Sequence, residues 1–136
     1  MTPEQIRLVR QSLDGLAPVW SEVAGKVYNR FFELAPDTRG LFPGDLEPLK
    51  IKLMDTITVI VGYLENPGMF ESIINHSGRQ HQRFGARSEH FASFRTALLE
   101  GLEQQFGTAF TPQLRDAWFV LYDRVQKEML RGMQVS

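Results

Sequence analysis

Three histidines, His76, His81 and His90, are the side chains with most chemistry to offer in this chain. It has no cysteine, which excludes disulfides, thiolate ligands and thiol nucleophiles. Neutral imidazole is a good metal ligand. Only His81 falls in register with a run of large apolar residues, Phe70, Ile73 and Ile74. His76 lies five residues before it, off that face, and His90 falls in the first turn of the next helix; both are expected to be solvated. A lone histidine on an apolar face reads in two ways, as a hydrogen-bonded core residue or as a metal ligand. The residues alone leave both open, and they assign no catalytic role to any side chain.

The elements that must position His81 are helices. Thr2 can cap a first helix, with Pro3 in its first turn and Gln5 three residues on; Ile6, Val9 and Leu13 follow. Gly15 and Pro18 punctuate. A second helix is expected from about Pro18 to Leu34, with Trp20, Val23, Val27, Phe31 and Leu34 in one stripe. Pro36 opens a short helical turn that ends near Phe42-Pro43-Gly44. Leu46, Leu49, Leu53, Ile57, Ile60 and Leu64 recur every three or four residues, and Asn66-Pro67-Gly68 ends that helix. The helix of His81 breaks at Gly85, and Ser88 can cap the next, which carries Phe91, Phe94, Leu98 and Leu102 up to Gly107. Thr111-Pro112 starts the last, with Leu114, Ala117, Trp118, Leu121, Val125 and Met129 inward. No alternating strand pattern competes, so the class is all-α.

Composition narrows the function. A length of 136 residues suits a single domain spanning 1–136 with one sizeable core. Hydrophobic residues at 43% and charged residues at 23% are ordinary for a soluble protein. A net charge of -1 without a basic stripe argues against nucleic acid, and no polybasic cluster points to a membrane surface. No 18 apolar residues follow one another, and the polar start, Met1-Thr2-Pro3-Glu4-Gln5, shows no signal peptide. A cytoplasmic protein is expected.

The order of Tyr28-Asn29-Arg30-Phe31-Phe32, Leu41-Phe42, Gly78-Arg79-Gln80-His81-Gln82-Arg83-Phe84-Gly85, His90-Phe91, Phe110-Thr111-Pro112, Asp116-Ala117-Trp118 and Tyr122 resembles a globin. The likeness covers essentially the whole chain. It is nearest to bacterial single-domain haemoglobins of the Vitreoscilla type, the globin domain of flavohaemoglobins, and neuroglobins. The resemblance implies a 3-over-3 helical sandwich, the D helix absent or very short, and haem b (iron protoporphyrin IX) as cofactor. By position, His81 matches the proximal iron ligand and Phe42 the phenylalanine on the haem face. Tyr28, fourteen residues before Phe42, matches a distal tyrosine, although the same residue also reads as a boundary tyrosine with its hydroxyl in water. Phe84 and Phe94 complete the expected cofactor contacts.

Two departures matter. The position that usually carries a distal histidine or glutamine lies thirty-two residues before His81 and is Leu49 here, which can neither hydrogen-bond a ligand nor coordinate iron. Leu53, one turn on, matches the apolar residue that crowds the ligand. Lys52 is expected at the pocket rim, solvated or paired with a haem propionate; folded inward as a neutral amine it could instead ligate iron. The proximal tyrosine and glutamate of flavohaemoglobins are matched by Phe91 and Met133, so a backbone carbonyl or Gln80 is left to orient the imidazole.

What the resemblance implies is a haem protein that reversibly binds a diatomic gas, oxygen and also carbon monoxide or nitric oxide, for oxygen binding or delivery. Dioxygenation of nitric oxide with an external reductase, and gas or redox sensing through a partner protein, are the alternatives. Because the chain ends just after the last globin helix, no flavin or nicotinamide domain is expected, and the protein is expected to be a monomer or homodimer.

Overall fold

The computed structural model describes residues 1–134. Among them are six α-helices: α1 (Pro3–Leu16), α2 (Trp20–Leu34), α3 (Glu47–Gly62), α4 (Pro67–Arg83), α5 (Ser88–Phe106) and α6 (Pro112–Gln134). Short 3-10 turns occupy Ala17–Val19, Pro36–Leu41 and Gly107–Ala109. No strand occurs among the described residues, and no helix is long and apolar enough to cross a membrane. Helices α1, α3 and α4 form one layer and α2, α5 and α6 the other. The principal crossings are α4 on α6, α2 on α5 and α1 on α6. Residues 42–46 contain no helix, so the D helix is absent.

Local chemistry explains the ends. Thr2 Oγ1 accepts the Gln5 N–H at 3.1 Å and the Gln5 side chain accepts the Thr2 N–H at 3.0 Å, a reciprocal cap for α1. Gly15 does not stop α1, which runs to Leu16 and passes through a 3-10 turn into α2. Asn66 does more than end α3: its side-chain oxygen accepts the Met69 N–H at 3.3 Å and caps α4, with Pro67 in the first turn. Ser88 does not cap α5 as its type suggests. It lies inside the helix, and Arg87 holds the cap position. Gly85, at φ +89, reverses the chain between α4 and α5 in a conformation that costs other residues strain.

The core is one cluster of Val9, Leu16, Val23, Val27, Phe31, Phe70, Ile74, Leu102, Ala117, Trp118 and their neighbours. The Trp118 indole donates to Ser12 Oγ at 2.9 Å and Ser12 donates to the Val9 carbonyl at 2.9 Å, whereas Gln126 Oε1 is buried without a partner among the described residues. Leu34, expected in the buried stripe of α2, is instead exposed at the helix end. The residues of α3 and its two flanks behave differently from those of the other helices. Ile60 and Leu64 are buried, but Leu46, Leu49, Leu53, Met54 and Ile57 are only half-buried although they pack against the core. Helix α3 leans chiefly on α2 and meets both α1 and α4 only sparsely, so part of its apolar face is left open towards α4.

Candidate functional site

His81 sits in the last turn of α4, close to Gly85. Its Nδ1 lies 2.7 Å from the Ser77 carbonyl oxygen, one turn earlier on the same helix. A carbonyl only accepts, so Nδ1 carries the proton and the Nε2 lone pair is free. The ring is half-buried and lies 5.9 Å from the Phe91 ring at the start of α5. Of the two partners the sequence left open for this imidazole, the backbone carbonyl is the one found.

Tyr28 lies at the middle of an aromatic group supplied by three elements. Phe32 of α2, Phe42 after the Pro36–Leu41 turn and Phe94 of α5 have ring centroids 6.1, 5.9 and 5.9 Å from its own. The residue is 5% exposed, and burial pushes its phenol up to about 12. Its hydroxyl has no hydrogen-bond partner among the described residues, and the oxygen is not itself fully enclosed, so it is open to a partner from outside the chain. Tyr122 of α6 is the contrast. It stacks on Phe94 at 6.4 Å, and its hydroxyl donates to the Phe91 carbonyl at 2.7 Å. Burial raises that phenol as well, but its hydroxyl is satisfied.

Phe42 is half-buried, and the Arg39 guanidinium donates to its carbonyl while lying over the Phe32 ring at 5.2 Å. Leu49 and Leu53 are half-buried on α3. Lys50 between them is directed the other way. Its amine pairs with Glu47 at 2.7 Å beside Gly25 of α2, and its carbonyl accepts the Trp20 indole N–H at 2.7 Å. Lys52 is exposed. Phe94 bridges Tyr28 and Tyr122, whereas Phe84, which ends α4, is 66% exposed and stands outside the aromatic group. Phe91 is buried and Met133 half-buried against the core.

Two of the histidines can be compared with what their positions suggest. His76 is exposed, as expected. His90 is not solvated: it is 7% exposed, accepts the Arg87 backbone N–H at Nδ1 (3.1 Å) and donates from Nε2 to Asp37 Oδ2 (3.0 Å). That hydrogen bond, with Arg87 beside it, holds the Asp37 carboxyl below its ordinary value. Asp37 lies in the 3-10 turn, and no local pattern around His90 announces it.

Among the described residues no three His, Asp or Glu side chains gather to hold a metal ion. A metal reaching His81 must therefore bring most of its ligands with it, as iron in a porphyrin does. The residues fit such a group: one free imidazole nitrogen, an unpartnered phenol, and half-buried apolar side chains from α3 and the aromatic group.

A globin family profile matches residues 25–129. Neuroglobin of Tetraodon nigroviridis is 31% identical, over 92% of this chain and 87% of its own length. A globin-like protein of Aquifex aeolicus is 24% identical, over 96% and 92%. Among solved structures, a tardigrade hexacoordinated haem protein superposes with a TM-score of 0.88 at 15% identity, covering 98% of this chain and 96% of that one. An engineered carbene transferase of Rhodothermus marinus superposes at 0.84 and 24% identity, covering 99% and 95%. The all-helical fold and these matches agree that the chain belongs to the globin family.

Proposed function

We propose that this globin binds haem b through His81 Nε2 and uses the bound group to take up a diatomic gas reversibly. The observation that carries the reading is the tautomer of His81: Ser77 fixes the proton on Nδ1 and leaves Nε2 to ligate. The neuroglobin relatives and the neighbour described as a hexacoordinated haem protein support haem as the group. Haem supplies a ferrous iron that binds oxygen, carbon monoxide or nitric oxide.

The chain's own residues set what happens there. A carbonyl accepts less strongly from Nδ1–H than a carboxylate would, so it makes the imidazole a weaker electron donor to a bound iron. A less electron-donating ligand favours reversible binding over oxygen activation. Tyr28, a phenol protonated at neutral pH and pushed by burial to about 12, is the hydroxyl available to donate to a polar ligand. Phe42 and Phe94 beside Tyr28, with half-buried Leu49 and Leu53 on α3, offer the bound group apolar surface. Dioxygenation of nitric oxide with an external reductase would draw on the same side chains; the carbonyl-held imidazole favours the binding role.

The test is the visible spectrum of haem-reconstituted protein. Wild type should bind haem one to one with a strong Soret band, His81→Ala should retain little of it, and His76→Ala should match wild type. A wild-type spectrum in His81→Ala contradicts the reading.

A further inference from the structure

We infer that His90 is a positioning residue of this pocket: with Asp37 it clasps the Pro36–Leu41 turn to the start of α5 and so fixes the Phe42 wall relative to the His81 side. The functional half of this inference rests on the haem reading above.

His90 stands where two walls meet. On its own helix it precedes Phe91, whose ring lies 5.9 Å from His81 and whose carbonyl takes the Tyr122 hydroxyl at 2.7 Å. Its Nε2 reaches 3.0 Å across to Asp37, in the turn that delivers Phe42 to within 5.9 Å of Tyr28. Arg87 Nη2 binds the same carboxylate oxygen at 2.6 Å, and Leu41 touches the Gly85 region, at 3.5 Å from where a Cβ would stand. The exposed Arg87–Asp37 pair contributes little by itself, since water screens it and both side chains are free to move. The His90 bond is different. Its imidazole is shielded, both ring nitrogens are engaged, and losing one partner leaves a buried donor unsatisfied. That bond is where rigidity between the two walls is concentrated.

Side-chain substitutions separate the two ring nitrogens. His90→Gln can still donate to Asp37. His90→Asn can still accept the Arg87 N–H but falls short of Asp37. The measurement is the rate at which reconstituted protein loses haem to excess apomyoglobin, in a double-mutant cycle with Asp37→Ala, at an exposed position. Asp37→Ala and His90→Asn should each speed haem loss about tenfold, and the double variant should be no faster than either. His90→Gln should stay within about threefold of wild type. Additive effects, or His90→Gln as fast as His90→Asn, overturn the inference. A second arm uses haem-free protein. Amide hydrogen exchange over residues 36–42 should accelerate in His90→Asn and not in His90→Gln. If wild type held no haem, the proposed function would fail and this arm alone would decide: unchanged exchange in His90→Asn overturns the clasp.

Discussion

The seam between α4 and α6 and the cleft between α3 and α4 share one helix and are built on opposite terms. At the seam the backbones nearly touch. A Cβ on Gly78 would lie 2.3 Å from the Met129 carbonyl oxygen, and one on Gly132 would lie 2.4 Å from that of Asn75. The Asn75 amide donates to the buried Glu128 carboxylate at 2.6 Å beside this crossing. Across the cleft, Leu49, Leu53, Met54 and Ile57 are left half-buried, and Tyr28 holds a phenol without a protein partner. A chain able to pack backbone on backbone has not run out of means to close the other side. The seam fixes the His81 helix in place, while the apolar residues of α3 stay half-buried and open to a further packing partner.

The contrast can be broken by truncation. Ile74 of α4 has no exposed surface, and Ile74→Ala should destabilise the haem-free protein by about 3 kcal/mol, from lost burial and the void left in close packing. Leu53→Ala on the cleft should cost less than about 1 kcal/mol, because its neighbours already leave one side open. Denaturant unfolding of both variants without haem checks this. Equal losses would mean the cleft is an ordinary part of the core.

The tyrosines sharpen the comparison. Tyr28→Phe should barely change haem-free stability, since no protein hydrogen bond is lost. In the haem-loaded protein it should speed oxygen dissociation ten- to a hundredfold, the loss of a hydrogen bond to a partly charged acceptor contributing about 1.5–3 kcal/mol. Carbon monoxide, less polar when bound, should respond much less. Stopped-flow ligand displacement measures both, and equal effects on the two gases count against a donor role for Tyr28.

Alkaline titration gives a smaller, graded effect. Tyr28 ionises near 10.0 in the unfolded chain and at about 12 in the fold. Between those values the unfolded state has given up a proton that the native state keeps, so stability is full below pH 10.0 and falls through about pH 12. The loss from this one residue is on the order of 2 kcal/mol. Tyr28→Phe should flatten the fall, and an unchanged pH profile in that variant would show the phenol is not buried as described.

What was legible in the sequence was what local pattern encodes. The spacing of Leu46 to Leu64, the Thr2–Gln5 cap and the Thr111-Pro112 start read directly as helices and their ends, because each depends on residues within one or two turns. His81 stood out by its register with Phe70 and Ile74. The family resemblance, carried by the order of many weak motifs, supplied the fold. The misreadings have a common cause. His90 is buried because Asp37, 53 residues away, gives its ring a partner. Ser88 loses the cap position because the His90 ring accepts the Arg87 N–H there. Nothing near Gly78 or Gly132 in sequence says that each faces the other's helix. Leu34 completes a stripe on paper but falls where α2 ends, beyond the neighbours that bury the rest.

Amide hydrogen exchange of the protein before and after haem loading bears most directly on the difference between seam and cleft. Protection should rise strongly along residues 47–62 of α3 and 36–42 of the aromatic wall, where a bound group would complete the packing. Amides at the Gly78–Gly132 crossing should change much less, since that contact is already closed. A uniform rise across both regions, or no change along α3, would contradict the reading of the cleft as the place the fold reserves for its cofactor.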